Sequence, residues 1–263
     1  MILMRYIRTV RGLDRHSLDW QSHIVEKVFG PGNIEVVLLK HILNRYPVKS
    51  ALDITCGNGN IAIMIAKMGK DVTVLDHDLA NIQRVKQKSI LAGVHIELKH
   101  ADMRDLSSIY KHKCNLITCL NNSLSLLLDK ADIWGSLVQM YLALEPGGLL
   151  VIQNFNYDRL IRDNISKITD INVDGCDMAV KVFFEHGNEK KRSRFVFETL
   201  YPSKRTGETE KLVIPVKPVF KKEMDVWLAE LGFVKSTEEM YVDCMPEETW
   251  HTVTTVFRPG SLN

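Results

Sequence analysis

The stretch Ala51-Leu-Asp-Ile-Thr-Cys-Gly-Asn-Gly-Asn60 constrains the fold more than any other. A short apolar run meets an acid and then a Gly-x-Gly turn. Ile61, Met64, Ile65 and Met68 follow at helical spacing. Strand, tight turn and helix in that order form the first unit of a doubly wound sheet. Gly57 and Gly59 lack a β-carbon, so they tolerate positive φ and let a ligand lie against the main chain. The start of the helix adds unpaired N–H groups. Taken alone, Gly57-Asn-Gly59-Asn-Ile-Ala62 also satisfies the dinucleotide fingerprint, with alanine in the place of the third glycine. The stretch by itself therefore leaves its ligand open.

Strand and helix alternate on both sides of it. Asn33 can cap a helix with Ile34, Val37, Leu38 and Ile42 on its apolar face, ending near Tyr46-Pro47. Strands are expected at Ala51–Ile54, Val72–Leu75, Ile96–Lys99, Leu116–Leu120 and Leu149–Gln153. Helices are expected over 60–68, 79–92 and 131–144, with Glu145-Pro-Gly-Gly148 as a turn. Such alternation means a parallel sheet with helices on both faces, which binds ligands beyond the carboxyl ends of its strands. After residue 160 the pattern changes. Met178–Phe184 and Arg194–Leu200 flank the hairpin signal Gly187-Asn188, and Lys211–Val216 follows as a third strand. A last helix carries Met224, Trp227, Leu228 and Leu231, and strands near Val234–Val242 and Thr252–Phe257 close the chain. The expected fold is α/β: a doubly wound, Rossmann-like, seven-stranded and mostly parallel sheet. It forms one domain over 1–263, with 1–32 as an N-terminal cap segment and 165–218 as an antiparallel insertion before the last helix.

Composition narrows the partners. With 34 Lys+Arg against 32 Asp+Glu the net charge is +2, which gives no support to a general polyanion binder. The one basic cluster, Lys190-Lys-Arg-Ser-Arg194, reads as a solvated hairpin. Cys56, Cys114, Cys119, Cys176 and Cys244 form no CxxC pair; this odd, scattered set suggests a reducing compartment. Cys114 and Cys119, an odd step apart, should face opposite sides of a strand. The histidines show no ligand spacing, so no metal is expected. Met1-Ile-Leu-Met-Arg-Tyr-Ile-Arg8 lacks the apolar run of a signal peptide, and no stretch has the length of a membrane span. A cytoplasmic protein with a small-molecule partner is the expectation.

Four strand ends carry the chemistry. The first holds Asp53 with Gly57 and Gly59. Asp76 follows Val72-Thr-Val-Leu75, where a carboxylate can accept both hydroxyls of a ribose at about 1.5–3 kcal/mol for each hydrogen bond. Ala101-Asp102-Met103 follows the third strand; a carboxylate there can accept from an exocyclic amine while a main-chain N–H meets a ring nitrogen. Leu120-Asn-Asn-Ser123 follows the fourth. Asp53 could simply cap a turn, Asp76 could be an exposed loop acid, and Asn122 a turn residue. A purely structural account gives no reason for such groups to recur after successive strands.

Together, Asp53-x-Thr-x-Gly-x-Gly59, Asp76, Ala101-Asp102 and Glu145-Pro-Gly-Gly148 resemble the class I S-adenosylmethionine-dependent methyltransferases over roughly residues 33–160 and the last helix and strands. Thr55 stands where most members have glycine. The resemblance implies that Asp53, Thr55, Gly57 and Gly59 lie beside the methionine part of the cofactor. Asp76 would hold the ribose, Asp102 with the Met103 N–H would read the adenine, and His77 would be a further cofactor-binding residue. Cys119-Leu-Asn-Asn-Ser-Leu124 and Pro146-Gly-Gly-Leu-Leu-Val-Ile-Gln-Asn-Phe-Asn-Tyr-Asp158 are similar to the glycine N-methyltransferase group. That likeness places the Leu120 main chain and Ser123 at the cofactor's amino-acid end and Asn122 beside the substrate, orienting an amine by accepting its N–H. The N-terminal part has no clear counterpart of that group's glycine-binding residues, so glycine does not follow as the acceptor. A small amine fits best, since no strong general base is visible. A nicotinamide-dependent oxidoreductase, a non-catalytic S-adenosylmethionine-binding protein and an RNA methyltransferase remain as alternatives.

Overall fold

The computed structural model describes residues 33–165, 167–173, 176–185, 194–202, 209–235 and 251–259. The N-terminal cap segment, the Gly187-Asn188 turn, residues 190–193 of the basic cluster and the stretch 236–242 lie outside the described residues. Helix α1 (Asn33–Arg45) buries Leu38, Leu39, Ile42 and Leu43 and stops short of Pro47. Then come β1 (Ser50–Ile54), α2 (Asn60–Lys67), β2 (Asp71–Asp76), α3 (Leu79–Ala92) and β3 (Glu97–His100). A 3-10 turn (Met103–Asp105) and the one-turn helix α4 (Leu106–Ile109) lead to β4 (Cys114–Cys119). A second 3-10 turn (Ser123–Leu126), α5 (Lys130–Ala143), β5 (Leu144–Phe155) and α6 (Tyr157–Arg162) follow.

Strands β1 to β5 are mutually parallel in the spatial order β3-β2-β1-β4-β5. The chain winds outward from β1 to β3 and then returns to place β4 on the other side of β1. That reversal opens a crevice past the ends of β1 and β4, where open α/β sheets bind ligands. The same sheet continues through β11 (His251–Phe257), antiparallel to β5, and the short β10 (Val234–Lys235). Between α6 and α7 (Lys221–Glu230) lies a separate antiparallel sheet of β6 (Lys167–Val173), β7 (Cys176–Glu185), β8 (Arg194–Pro202) and β9 (Thr209–Val216).

Side-chain alternation divides the main core into two layers. Leu52, Ile54, Ile117, Leu150 and Ile152 pack with α5 and α7. Ala51, Val72, Val74, Leu116 and Val151 pack with α1, α2 and α3. Asp53, Asp76 and Thr118 share the parity of this second layer, at its carboxyl end. Register sets Asp53 beside Thr118 on one neighbour and Val74 on the other.

Three expectations change. Glu145-Pro-Gly-Gly148 is no isolated turn: it falls within the span of β5 but swells out of the β4 ladder, whose partners step from Cys114–Leu144 to Leu116–Leu149. Its glycines exchange main-chain hydrogen bonds with Arg258 instead. Cys114 and Cys119, expected on opposite sides, both belong to the core layer that packs with α5 and α7. Gly59 does not leave room for a ligand. It sits at φ +79° at the head of α2, and a β-carbon there would lie 2.6 Å from Val85 Cγ2. Gly59 therefore lets α3 close against the turn.

Left-handed strain of about 1–2 kcal/mol and overpacking of about 1–3 kcal/mol both bear on this position. Gly59→Ala is thus expected to destabilise the fold by about 2–4 kcal/mol, read as a lower urea midpoint. In Gly59→Ala/Val85→Ala the loss should be smaller than the sum of the two single losses.

Candidate functional site

The turn after β1 is bent by a run of left-handed residues: Thr55 at φ 60°, Gly57 at φ 53° and Gly59 at φ 79°. A β-branched residue is uncommon in that region, which explains why glycine is favoured at the position of Thr55. The turn closes onto the end of β2. Thr55 N–H and Cys56 N–H donate to Leu75 O at 2.7 and 3.3 Å, and Gly57 N–H donates to Asp76 Oδ2 at 3.0 Å. Around Gly57, unlike Gly59, a β-carbon would meet nothing within 4 Å. The glycine that offers room to a ligand is therefore Gly57.

Asp76 ends β2 and is 2% exposed. Its Oδ2 also accepts from Asn81 Nδ2 at 3.1 Å, its Oδ1 accepts from Asp78 N–H at 2.9 Å, and His77 Nδ1 stands 3.6 Å from Oδ1. Burial pushes the Asp76 carboxyl upward despite these donors. Asp53 is buried with it and accepts one hydrogen bond, from Thr118 Oγ1 at 2.7 Å. Burial, with the charge of Asp76 adding to it, raises Asp53 from its ordinary 3.8 to about 7 against the pull of Thr118.

Asp102 follows β3 and is half-buried. Its Oδ1 takes Arg104 N–H and Nε–H at 2.9 and 3.0 Å, and its Oδ2 takes Arg104 Nη2–H at 2.7 Å. Arg104 also reaches Asp132 at 2.9 Å. Burial acts to raise the Asp102 carboxyl, but the hydrogen bonds and charge of Arg104 outweigh it and hold it below the usual range. Met103 opens the 3-10 turn, where N–H groups lack partners within the turn.

At the end of β4 the structure assigns the polar residues differently from the sequence. Leu120 O accepts both Ser123 N–H at 3.3 Å and Ser123 Oγ–H at 2.6 Å. Asn121 and Asn122 both adopt left-handed conformations, at φ 57° and 61°. Their N–H groups are held by Gln153, through Oε1 and O respectively, each at 3.0 Å. Asn122 Oδ1 accepts Phe155 N–H at 3.2 Å and Tyr157 Oη–H at 2.9 Å. The expected role of Asn122, accepting an N–H from the substrate, is therefore corrected: both lone pairs of its oxygen are taken. The Phe155 N–H can only donate, so the amide cannot be turned over. What remains to Asn122 is the donor capacity of Nδ2.

The sheet thus brings Asp53, Thr55, Gly57, Asp76, His77, Asp102, Met103, Leu120, Asn122 and Ser123 to the carboxyl ends of four adjacent strands. Sequence reasoning missed Asn81, Arg104 and Gln153, which hold the acids and the asparagine turn. Asn81 and Arg104 do lie shortly after Asp76 and Asp102, at helix or turn positions that can fold back. Among the described residues no cluster of three or more His, Cys, Asp or Glu side chains could hold a metal ion. Buried Cys114 and Cys119 are each pushed up to about 12 by burial, which makes them unreactive thiols.

Residues 51–148 match the family model described as a methyltransferase domain. A protein of Geobacillus sp. (strain WCH70), provisionally named a methyltransferase, is 25% identical over 88% of this chain and 87% of its own length. The glycine/sarcosine N-methyltransferase of Parasynechococcus marenigrum (strain WH8102) is 26% identical over 65% of this chain, which spans only 58% of that relative. An S-adenosylmethionine-dependent methyltransferase from Clostridium acetobutylicum ATCC 824 superposes with a TM-score of 0.72 over 93% of this chain and 100% of its own, at 15% identity. At that identity the likeness is one of fold.

Folding leaves a proton on Asp53 that the unfolded chain loses above pH 3.8. Its contribution to stability therefore falls as the pH rises from about 4 to about 7 and is flat beyond, a loss of about 2–4 kcal/mol. Asp53→Asn keeps an acceptor for Thr118 and removes the titration. Urea unfolding across pH 4–8 should show the variant gaining on the wild-type chain toward pH 8. A constant difference between the two would contradict the assigned shift.

Proposed function

We propose that the chain is a class I S-adenosylmethionine-dependent methyltransferase and that it methylates the nitrogen of a small amine. The observation that carries the cofactor site is the single rim of acids at three neighbouring strand ends, Asp53, Asp76 and Asp102, with Gly57, whose β-carbon position is clear, bonded to Asp76. The family match over 51–148 supports methyl transfer, and relatives named glycine/sarcosine N-methyltransferases support the choice of nitrogen.

The residues present fit the cofactor. Gly57 leaves its side of the turn clear of side chain. Asp102 has one acceptor lone pair beyond the three hydrogen bonds from Arg104, and the Met103 N–H stands next to it. In this reading Asp53 and the turn hold the amino-acid end, Asp76 with His77 the ribose, and Asp102 with Met103 the adenine. The bound cofactor supplies an electrophilic methyl group on its sulfonium. The protein's own work is to hold the acceptor in line with that group and keep water out, which can supply about 7–11 kcal/mol of barrier reduction.

Proton removal receives little help from the described residues. Burial holds the Tyr157 phenol and the Cys119 thiol in their protonated forms, and Tyr157 is already spent on Asn122. An acceptor that arrives as a neutral amine needs no such help, whereas a weakly acidic hydroxyl would. Asn122 Nδ2 can donate to an oxygen of the acceptor. The antiparallel sheet β6–β9 serves in this reading as the roof that selects the acceptor. Its exit strand is tied beside the asparagine turn, since Lys217 N–H donates to Ser125 O at 2.7 Å. Among the described residues no helix is long and apolar enough to cross a membrane, and Cys56, Cys114 and Cys119 are unpaired thiols that suit the cytoplasm.

A methyl-transfer screen with labelled cofactor over small amines, hydroxy acids and RNA tests the proposal. Label should pass to an amine; transfer to RNA or to a hydroxyl alone would overturn the choice of acceptor. Loss of hydrogen bonds to a charged group at Asp76→Ala or Asp102→Ala should weaken cofactor binding about 10- to 100-fold, measured by calorimetry. Unchanged affinity in both variants would remove the site.

A further inference from the structure

Asp76 carries more hydrogen bonds than a ribose-binding carboxylate has room for. A carboxylate offers about four lone-pair positions. Oδ2 uses both of its own on Gly57 N–H at 3.0 Å and Asn81 Nδ2 at 3.1 Å, with the weakly donating Cys56 thiol farther off at 4.0 Å, and Oδ1 uses one on Asp78 N–H at 2.9 Å. A ribose presents two hydroxyls. One can take the remaining position on Oδ1, beside which His77 Nδ1 stands at 3.6 Å. The second must displace a donor already present.

The three nitrogen donors differ in how readily they can leave. Gly57 N–H belongs to the turn that closes onto β2, and its neighbours Thr55 and Cys56 are bonded to Leu75 O. Asp78 is the N-cap of α3, and its side chain holds Ala80 N–H at 2.9 Å, so its main chain is locked at the helix start. Asn81 is a partly exposed side chain on the first turn of α3 and can swing away by rotation about its own bonds. Its amide is oriented by Arg84, whose Nη1–H donates to Asn81 Oδ1 at 2.7 Å. A guanidinium has only donors, so Oδ1 faces Arg84 and Nδ2 faces Asp76.

We propose that Asn81 is a built-in competitor for the ribose diol: it fills the diol's place on Asp76 when the site is empty and yields it when the cofactor binds. This rests on the assignment of Asp76 to the ribose. Asn81 is a positioning residue here, and its presence weakens cofactor affinity. A residue that merely braced the site would strengthen it, so the two roles predict opposite signs.

The test compares the wild-type chain with Asn81→Ala and Asn81→Leu by calorimetric titration with S-adenosylmethionine, with 5′-methylthioadenosine and with the 2′,3′-dideoxy form of the latter. An intramolecular hydrogen bond that no longer has to be broken should tighten the two diol ligands about fivefold in both variants. The dideoxy ligand should bind all three proteins alike. Diol affinity that is unchanged or weaker in both variants overturns the proposal, as does equal tightening of the dideoxy ligand. If the wild-type chain binds neither S-adenosylmethionine nor 5′-methylthioadenosine, the cofactor assignment fails and this inference goes with it. Thermal unfolding of the variants provides the folding control; Asn81→Leu retains the bulk of the side chain while removing its donor.

Discussion

The closure of the turn after β1 onto the end of β2 is the constraint on which the rest of the site depends. Three successive N–H groups, from Thr55, Cys56 and Gly57, are directed at Leu75 O and Asp76 Oδ2. Pointing them the same way requires left-handed backbone at Thr55 and Gly57. At Thr55 this costs about 1–3 kcal/mol, which the surrounding hydrogen bonds offset. Once the turn is closed, Gly59 starts α2 where α3 can press against it through Val85, and the pair of helices fixes where Asp78 and Asn81 meet Asp76. The acids are placed by the backbone before any ligand arrives.

This arrangement has an electrostatic cost. Asp53 and Asp76 are both removed from water, and they interact across the ends of β1 and β2. Asp76 is surrounded by donors, so its charge is supported. Among the described residues Asp53 accepts from Thr118 alone, and burial raises its carboxyl to about 7. A site of this kind favours a ligand that brings positive charge, because a cation beside Asp53 stabilises its ionised form. A sulfonium cofactor with an ammonium group at one end meets that demand, and a nicotinamide dinucleotide with its anionic phosphates does not. Electrostatics therefore agrees with the methyltransferase-domain match over 51–148 where the Gly-x-Gly spacing alone left the ligand open.

Much of the parallel core was legible because apolar periodicity and glycine turns report local geometry. The acids Asp53, Asp76 and Asp102 were legible because each directly follows or ends an apolar strand, so sequence position fixes spatial position. The partners of those acids were not. Asn81 reaches Asp76 only because α3 folds back over the turn, and Arg104 reaches Asp102 only because a 3-10 turn intervenes. Neither contact has a periodic signature. Gly57 and Gly59 look equivalent in sequence, yet one borders open space and the other a valine from a helix that begins some twenty residues later. The swelling of β5 at Glu145–Gly148 was hidden because proline and glycine signal a break in a ladder without saying whether the strand ends there.

Asn121 and Asn122 show why residue type alone overstates catalysis. Asparagine is among the few non-glycine residues that enter the left-handed region readily, and two in a row occupy it here. Gln153 at the end of β5 takes both of their N–H groups, and Asn122 returns the bond by accepting Phe155 N–H. This reciprocal lacing joins the ends of β4 and β5 across the crevice floor. Tyr157 completes it by filling the last lone pair of the amide oxygen. The asparagine that the sequence offered as a substrate acceptor is first a fastener, and only its Nδ2 hydrogens remain for chemistry. An acceptor meeting that side of Asn122 must present a lone pair. Under the proposed function the amide oxygen of Asn122 is closed to the acceptor's amine, and a contact through Nδ2 calls for a lone pair on the acceptor.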